Sequence, residues 1–234
     1  MLPIIYLNRT YAYFYDYQGD HFIANPSYPS PFLIKKSSSA KIKKLVVLGD
    51  SLTAGIGSTK YENSLGFLIA QNLSKDSSLE LLNFAKPGVG IKDVLNRQLP
   101  QTIEKKPDYV VLMIGINDIH NKTSDSYFKL SYKEILEKLK TGTSARVILI
   151  NIPDIGSDRI LFPPWDTVFD FQIKKFNNIV SEVALEKDFT VIDLYSQFRN
   201  EFKQSSDLYS ADQFHPSDKG YKLWGEYINA NFNR

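Results

Sequence analysis

The stretch Leu45-Val46-Val47-Leu48-Gly49-Asp50-Ser51-Leu52 decides the fold. Its four leading apolar residues do not alternate with polar ones, which is typical of a strand buried on both faces of a parallel sheet. Asp50 and Ser51 then stand at the carboxyl end of that strand, where open parallel sheets bind their ligands. The sequence therefore predicts an α/β protein with a candidate site directly after its first buried strand.

Outward from this strand, apolar runs alternate with longer amphipathic stretches. Strands are predicted at residues 45–48, 79–84, 109–114, 146–150 and 190–194. Helices are predicted at residues 64–73, 91–99, 127–139, 169–186 and 217–231. This alternation indicates a parallel sheet covered by helices on both faces. The predicted fold is a three-layer α/β/α sandwich with five parallel strands.

Residues 1–40 do not follow this alternation and are predicted to be an N-terminal extension to a domain spanning residues 41–234. Tyrosines at every second position from Tyr11 to Tyr17, followed by a turn at residues 18–20, favour a β-hairpin. The proline-rich residues 25–31 favour an extended connector. This aromatic arm is predicted to pack against the domain. Covering the mouth of the site, or self-association through residues 1–30, are the alternatives.

Composition excludes several classes of function. The 234 residues carry a net charge of +2, spread along the chain, so no field favours nucleic acid or anionic lipid. Cysteine is absent, which excludes disulfides, a thiolate nucleophile and sulfur-ligated metals.

The apolar run at residues 2–7 is too short for a signal peptide core or a membrane span. We therefore expect no stable membrane insertion and favour a cytoplasmic location. A secreted or periplasmic protein whose leader has been removed is the alternative.

Two polar clusters, far apart in the chain, form a candidate nucleophile and base. Ser51 follows the first strand, where its hydroxyl can be exposed, although Asp50 and Ser51 also suit a simple helix cap. In residues 212–216, an Asp three residues before His215 can fix the imidazole tautomer and support its positive charge. The same segment also suits a surface loop, with Pro216 in the first turn of a helix.

Further residues can donate hydrogen bonds to a negatively charged oxygen. Gly88 follows the second predicted strand and offers an unobstructed backbone N–H, with Gly90 as a nearby alternative. Asn117 follows the third strand and offers its side-chain amide. Each of them also suits an ordinary turn. Their shared position after successive strands favours one oxyanion hole at the edge that carries Ser51.

Taken together, these blocks resemble the SGNH (GDSL-like) hydrolase family. The segments similar to the family's four signature blocks, in the family's order, are Gly-Asp-Ser-Leu at 49–52, the Gly88 block, Gly-Ile-Asn-Asp at 115–118 and Asp-Gln-Phe-His at 212–215. The resemblance covers about residues 44–232. It implies a flavodoxin-like sheet with strand order 2-1-3-4-5, and it implies that no cofactor is needed.

The same resemblance implies a role for each matching residue. Ser51 would be the nucleophile, His215 the general base and Asp212 its partner. The backbone N–H groups of Ser51 and Gly88, together with the Asn117 side chain, would form the oxyanion hole. A Gly-x-Ser-x-Gly elbow is excluded for this serine, because a threonine stands where the second glycine would be.

The predicted activity is hydrolysis of a small-molecule carboxylic ester by water, through an acyl-enzyme on Ser51. Short to medium acyl esters, lysophospholipids and acetylated sugars are the candidate substrates. Pro153, Ile155, Phe162 and Trp165 follow the fourth strand and are candidates for binding them, although burial in the core explains them equally well.

Other activities remain open at this stage. A thioesterase would use the same site. Ligand types for a metal-dependent phosphoesterase occur at Asp50, Asn117, Asp118, His120 and His215, but three histidines without a His-rich motif give a poor ligand supply, and no metal is predicted. A nucleotide-binding module is suggested by residues 55–60, which lack both phosphate-binding glycine spacings.

Overall fold

The computed structural model describes residues 30–35, 42–154, 156–161 and 163–232. These residues form a six-stranded sheet, with helices on both faces. The strands are β1 (Phe32–Ile34), β2 (Lys43–Gly49), β3 (Leu79–Asn83), β4 (Tyr109–Met113), β5 (Arg146–Ile150) and β6 (Val191–Ile192). Their spatial order is β1-β3-β2-β4-β5-β6, and β2 to β6 pair in parallel. The three-layer architecture and the order 2-1-3-4-5 of the predicted strands are confirmed.

The sheet is mixed rather than purely parallel, because β1 adds an antiparallel edge strand to the five that the sequence predicts. Phe32 pairs with Leu81 of β3, and its ring contacts those of Tyr61 and Phe67 at centroid distances of 5.1 and 5.5 Å. Three residues are too few to show a periodic pattern, so the sequence gives no signal for this strand. The predicted hairpin lies outside the described residues, as do residues 1–29 of the predicted self-association surface.

Each helix covers one face of the sheet or begins at its carboxyl edge. The helices are α1 (Ser51–Ala54), α2 (Leu65–Leu73), α3 (Ile91–Asp93), α4 (Leu99–Lys105), α5 (Ile116–His120), α6 (Asp125–Gly142), α7 (Trp165–Glu186), α8 (Leu194–Gln204) and α9 (Asp218–Asn231). A π-helical turn (Val94–Gln98) joins α3 to α4. Helix α2 packs against α9, and α6 packs against α7 and α4. The short helices α1 and α5, helix α8 and all of α4 beyond Leu99 are additional to the predicted set.

The apolar core lies between the sheet and its helices. Leu45 to Leu48 of β2 and Val110 to Leu112 of β4 are fully enclosed, which explains why these strands do not alternate in polarity. Trp224 of α9 is also fully buried and stacks on Phe202 of α8, with ring centroids 5.2 Å apart. This packing fixes the carboxyl ends of β2, β3 and β4 at one edge, where the loops after them meet.

None of the helices in the described ranges is long and apolar enough to cross a lipid bilayer. The cellular compartment remains a prediction from the sequence.

Candidate active site

Ser51 lies at the carboxyl end of β2, as the first residue of α1. The carboxylate of Asp50 caps this helix and accepts a hydrogen bond from the Leu52 N–H at 3.0 Å. The first N–H groups of a helix have no partner within the helix, so the N–H of Ser51 is not used inside α1. Ser51 is only 6% exposed, so the surrounding protein encloses most of the residue.

His215 joins Ser51 to Asp212 through both of its ring nitrogens. Nε2 lies 2.9 Å from the Ser51 hydroxyl, and Nδ1 lies 2.5 Å from Asp212 Oδ2. The two hydrogen bonds bring together residues 164 positions apart in the chain. A serine, a histidine and a carboxylate in this line have the geometry of a nucleophile, its base and the group that orients the base.

The Asp212 carboxylate is held by donors on its second oxygen. Oδ1 accepts hydrogen bonds from the Ser210 hydroxyl at 2.8 Å and from the N–H groups of Phe214 and His215, each at 2.9 Å. Burial opposes the charge of this carboxyl, but these donors and His215 outweigh that effect and lower its pKa below the ordinary value. Asp212 therefore stays a carboxylate at neutral pH.

A loop that the sequence associates with phosphate binding instead supports the histidine. Gly57, in the segment 55–60, has a φ of +98°, and a Cβ there would lie 2.3 Å from the Pro216 carbonyl oxygen and 3.0 Å from His215 Cβ. The Tyr221 hydroxyl donates to the Ile56 carbonyl at 2.6 Å. Only a glycine allows this close approach. We call residues 55–60 the brace loop.

The candidate oxyanion donors lie in the turn after β3, which carries Gly88, and in the short helix α5 after β4, which carries Asn117. Gly88 occupies an exposed turn, with a φ of +76°. The Asn117 side chain donates one N–H to the Val89 carbonyl at 2.9 Å, which fixes the amide and leaves its other N–H for a ligand. Gly90, the alternative to Gly88, is turned toward Asp118, because a Cβ on it would lie 2.9 Å from Asp118 Oδ1.

Two buried carboxyl groups flank these loops, and the sequence assigned them no role beyond capping and possible metal binding. Burial, reinforced by the nearby Asp118 carboxylate, raises the pKa of Asp50 to about 7. Burial also raises the pKa of Asp118 to about 6, against the hydrogen bonds that it accepts from the Ile91 N–H and the Thr123 hydroxyl. No group of three or more potential metal ligands clusters within the described ranges.

The predicted substrate-binding residues lie on the β5–α7 connection. Pro153 is buried directly after β5, and Trp165 is half-buried at the start of α7. Ile155 and Phe162 lie outside the described residues. Trp165 lines a cavity of about 380 Å³ between α5 and α7, which is also lined by Ile119, His120, Val168 and Phe169. Burial lowers the pKa of His120 in this cavity.

The β5–α7 connection is also joined to residues 212–216, which we call the histidine loop. The Ser157 N–H donates to the Gln213 carbonyl at 2.8 Å, and the Ser157 hydroxyl donates to the Gln213 side chain at 3.1 Å. Ile160 and Leu161 form a small buried apolar cluster, and both Trp165 and Phe214 pack against it. The β5–α7 connection therefore contacts Gln213 and Phe214, the two residues between Asp212 and His215.

Known proteins resemble most of this chain. The model of the GDSL-like lipase/acylhydrolase family matches residues 47–223. The spore germination lipase LipC of Bacillus licheniformis is 27% identical over 209 residues, which cover 78% of this chain and 93% of that protein. The acetylxylan esterase of Geobacillus stearothermophilus is 24% identical over 202 residues, which cover 77% of this chain and 90% of that protein. The solved structure of a lipase/acylhydrolase from Enterococcus faecalis matches with a TM-score of 0.66 at 26% identity, covering 80% of this chain and 94% of that one.

Proposed function

The chain belongs to the GDSL-like lipase/acylhydrolase family and is an ester hydrolase, and we propose that it cleaves carboxylic esters through an acyl-enzyme on Ser51. The observation that carries this proposal is the continuous line of hydrogen bonds from the Ser51 hydroxyl through His215 to Asp212. That line lies at the carboxyl edge of the sheet, beside donors suited to an oxyanion.

In the first half of the reaction, the Ser51 oxygen forms a bond to the ester carbonyl carbon while His215 Nε2 takes the hydroxyl proton. The carbonyl oxygen becomes an oxyanion. The backbone N–H groups of Ser51 and Gly88 and the free N–H of Asn117 donate to it. His215 then gives its proton to the leaving alcohol as the bond from carbon to that oxygen breaks.

In the second half, water replaces the alcohol. His215 takes a proton from the water, whose oxygen attacks the acyl carbon, and then returns a proton to Ser51 as the carboxylic acid leaves. Asp212 supports the imidazolium that forms twice in this cycle. The lowered pKa of Asp212 suits this role, because an ionised partner stabilises positive charge on the ring.

The proposal is tested by replacing the nucleophile. S51A should lower kcat for p-nitrophenyl acetate by up to about a millionfold, as loss of the nucleophile does in other triads. The matched control is S64A, which removes another buried hydroxyl, one that donates only to the Tyr61 carbonyl. S64A should keep near-normal turnover.

Two results would contradict the proposal. One is near-normal hydrolysis by S51A. The other is loss of wild-type activity on dialysis against a chelator with recovery on adding a divalent metal, which is the behaviour of a metal-dependent phosphoesterase.

For the substrate, we propose an ester of a short to medium acyl chain. The cavity between α5 and α7 supports this choice, because it has a volume of about 380 Å³ and offers Trp165, Val168 and Phe169 to an acyl chain, beside polar lining that includes Lys122 and Lys175. The named relatives include both a lipase and an acetylxylan esterase, so lysophospholipids and acetylated sugars are the competing ester classes.

A matched substrate panel separates these classes. It comprises p-nitrophenyl esters from two to twelve carbons, a lysophospholipid, an acetylated xylo-oligosaccharide and the acyl-CoA of each acyl length. We expect the largest kcat/KM for a p-nitrophenyl ester longer than acetate. A preference for acyl-CoA over the matching ester would indicate a thioesterase, and a preference for the acetylated sugar would overturn the acyl-chain assignment.

A further inference from the structure

Two hydrogen bonds join the segment that follows Gly88 to helix α5, which carries Asn117 and Asp118. The Asn117 side chain donates to the Val89 carbonyl at 2.9 Å, and the Ile91 N–H donates to Asp118 Oδ2 at 2.8 Å. The adjacent side chains of Asn117 and Asp118 therefore hold the backbone on both sides of Gly90. The second of these bonds involves a residue to which the proposed reaction gives no role.

Asp118 is itself firmly fixed. It is 3% exposed, its Oδ1 accepts from the Thr123 hydroxyl at 3.0 Å, and its backbone carbonyl accepts from the Thr123 N–H at 2.8 Å. Gly90 approaches the carboxylate so closely that a Cβ would lie 2.9 Å from Oδ1. An enclosed carboxyl group with two specific donors is a rigid point for another loop to attach to.

Gly88 lies between two attachment points. Upstream, the Lys86 N–H donates to the Gly49 carbonyl at 3.2 Å, which fixes that end of the loop to β2. Downstream, Val89 and Ile91 are held by Asn117 and Asp118. Since Gly88 is exposed and has a φ of +76°, its own packing does not fix its position. The distance from its N–H to the Asn117 amide therefore depends on the downstream attachment.

We propose that Asp118 is a positioning residue, which sets the spacing between the Gly88 N–H and the Asn117 amide in the oxyanion hole. This role rests on the proposed function of the site. Asp118 does not touch the ester. It holds the segment that carries Gly88 against helix α5, which carries Asn117, so that both donors converge on the oxygen when negative charge develops there.

The experiment compares D118A with D118N, using p-nitrophenyl acetate and phenylboronic acid, which adds to a serine hydroxyl as a tetrahedral anion. D118A should lower kcat by up to about a hundredfold, because a misplacement near 1 Å has that effect. KM should change little, and affinity for the boronic acid should fall by a similar factor as kcat. D118N keeps an oxygen acceptor for the Ile91 N–H, so it should stay within about fivefold of wild type.

A control separates positioning from a general loss of stability. V183A removes two methyl groups from a fully buried residue of α7 and should lower Tm while leaving kcat and boronic acid affinity unchanged. If D118A does not fold, G90A and T123V act on the same carboxylate from its two sides and should lower kcat in the same way.

Each other outcome overturns the positioning role. A wild-type kcat in D118A, or in both G90A and T123V, would overturn it. A loss of kcat in D118N or in V183A as large as the loss in D118A would also overturn it. These results would leave the proposed function standing if S51A is inactive. An active S51A would overturn both.

Discussion

At the scale of single residues, the site combines carboxyl groups whose pKa values are shifted in opposite directions. Asp212 accepts three hydrogen bonds on one oxygen and contacts His215 with the other, so its pKa is lowered despite burial. Asp50 is just as enclosed but has the backbone N–H of Leu52 as its donor, and a second carboxyl group, Asp118, lies nearby. Burial therefore decides the protonation of Asp50, and hydrogen bonding decides that of Asp212.

A prediction at this scale concerns stability against pH. The pKa of Asp50 is raised from its ordinary value of 3.8 to about 7, so the folded state holds a proton that the unfolded chain releases near pH 4. The stability that this proton contributes is complete below pH 4 and is lost as the pH rises to about 7. Asp50→Asn removes this loss of stability, because an amide does not ionise, and it keeps an oxygen acceptor for the Leu52 N–H.

The measurement is the thermal unfolding of wild type and D50N at several pH values. Relative to wild type, the Tm of D50N should rise by about 10 °C between pH 4.5 and pH 8, from a shift worth roughly 3 kcal/mol. A difference in Tm that is independent of pH would contradict the raised pKa.

At the scale of elements, the site is held by loops that fix one another. The brace loop touches the histidine loop at Pro216 and His215, and it is tied to α9 by Tyr221 and by Asp218, which accepts from the Thr59 N–H at 2.8 Å. The β5–α7 connection touches the same histidine loop from Ser157. The segment that carries His215 therefore contacts two loops from distant parts of the chain, in addition to the bond from His215 to Asp212.

A prediction at this scale concerns Gly57. G57A places a Cβ 2.3 Å from the Pro216 carbonyl oxygen at a φ of +98°, so the brace loop and the histidine loop must move apart. The kcat for p-nitrophenyl acetate should fall by up to about a hundredfold, since Nε2 loses its alignment with the Ser51 hydroxyl.

The matched control is G142A at the end of α6, where a Cβ would lie 3.1 Å from a flexible isoleucine side chain. Its kcat should match that of wild type. Wild-type turnover in G57A would show that the brace loop does not position His215.

At the scale of the whole molecule, the parallel sheet brings the ends of β2, β3 and β4 to one edge, and the helices enclose it. The antiparallel strand β1 covers the outer edge of β3, and its Phe32 packs edge-on against Tyr61 and Phe67. None of these three rings takes part in the hydrogen bonds of the Ser51–His215–Asp212 line, so β1 should contribute to stability rather than to turnover.

A prediction at this scale follows from Phe32. F32A should lower Tm by about 5 °C, because it removes a half-buried ring from this aromatic cluster. The kcat at 20 °C should stay within about twofold of wild type. The control is L33A, whose side chain is 40% exposed and should matter less. An unchanged Tm in F32A, or a Tm loss in L33A as large as in F32A, would contradict this account of β1.

The sequence pattern by itself determined the layered α/β fold, and the resemblance of its short blocks to the SGNH family supplied the order of the parallel strands and the residues that meet in the Ser51–His215–Asp212 line. Apolar runs specify buried strands through the local pattern of side chains, and the short polar blocks occupy fixed places at the strand ends. The tertiary structure alone decided three other features: the antiparallel pairing of β1, the contact of the brace loop with His215, and the hydrogen bond from the Ile91 N–H to Asp118. Each of these depends on a backbone group meeting a residue far away in the chain, as Asp118 meets Ile91 across 27 positions. Such contacts leave no periodic pattern in either segment, because they arise only when the packed sheet brings the two segments together.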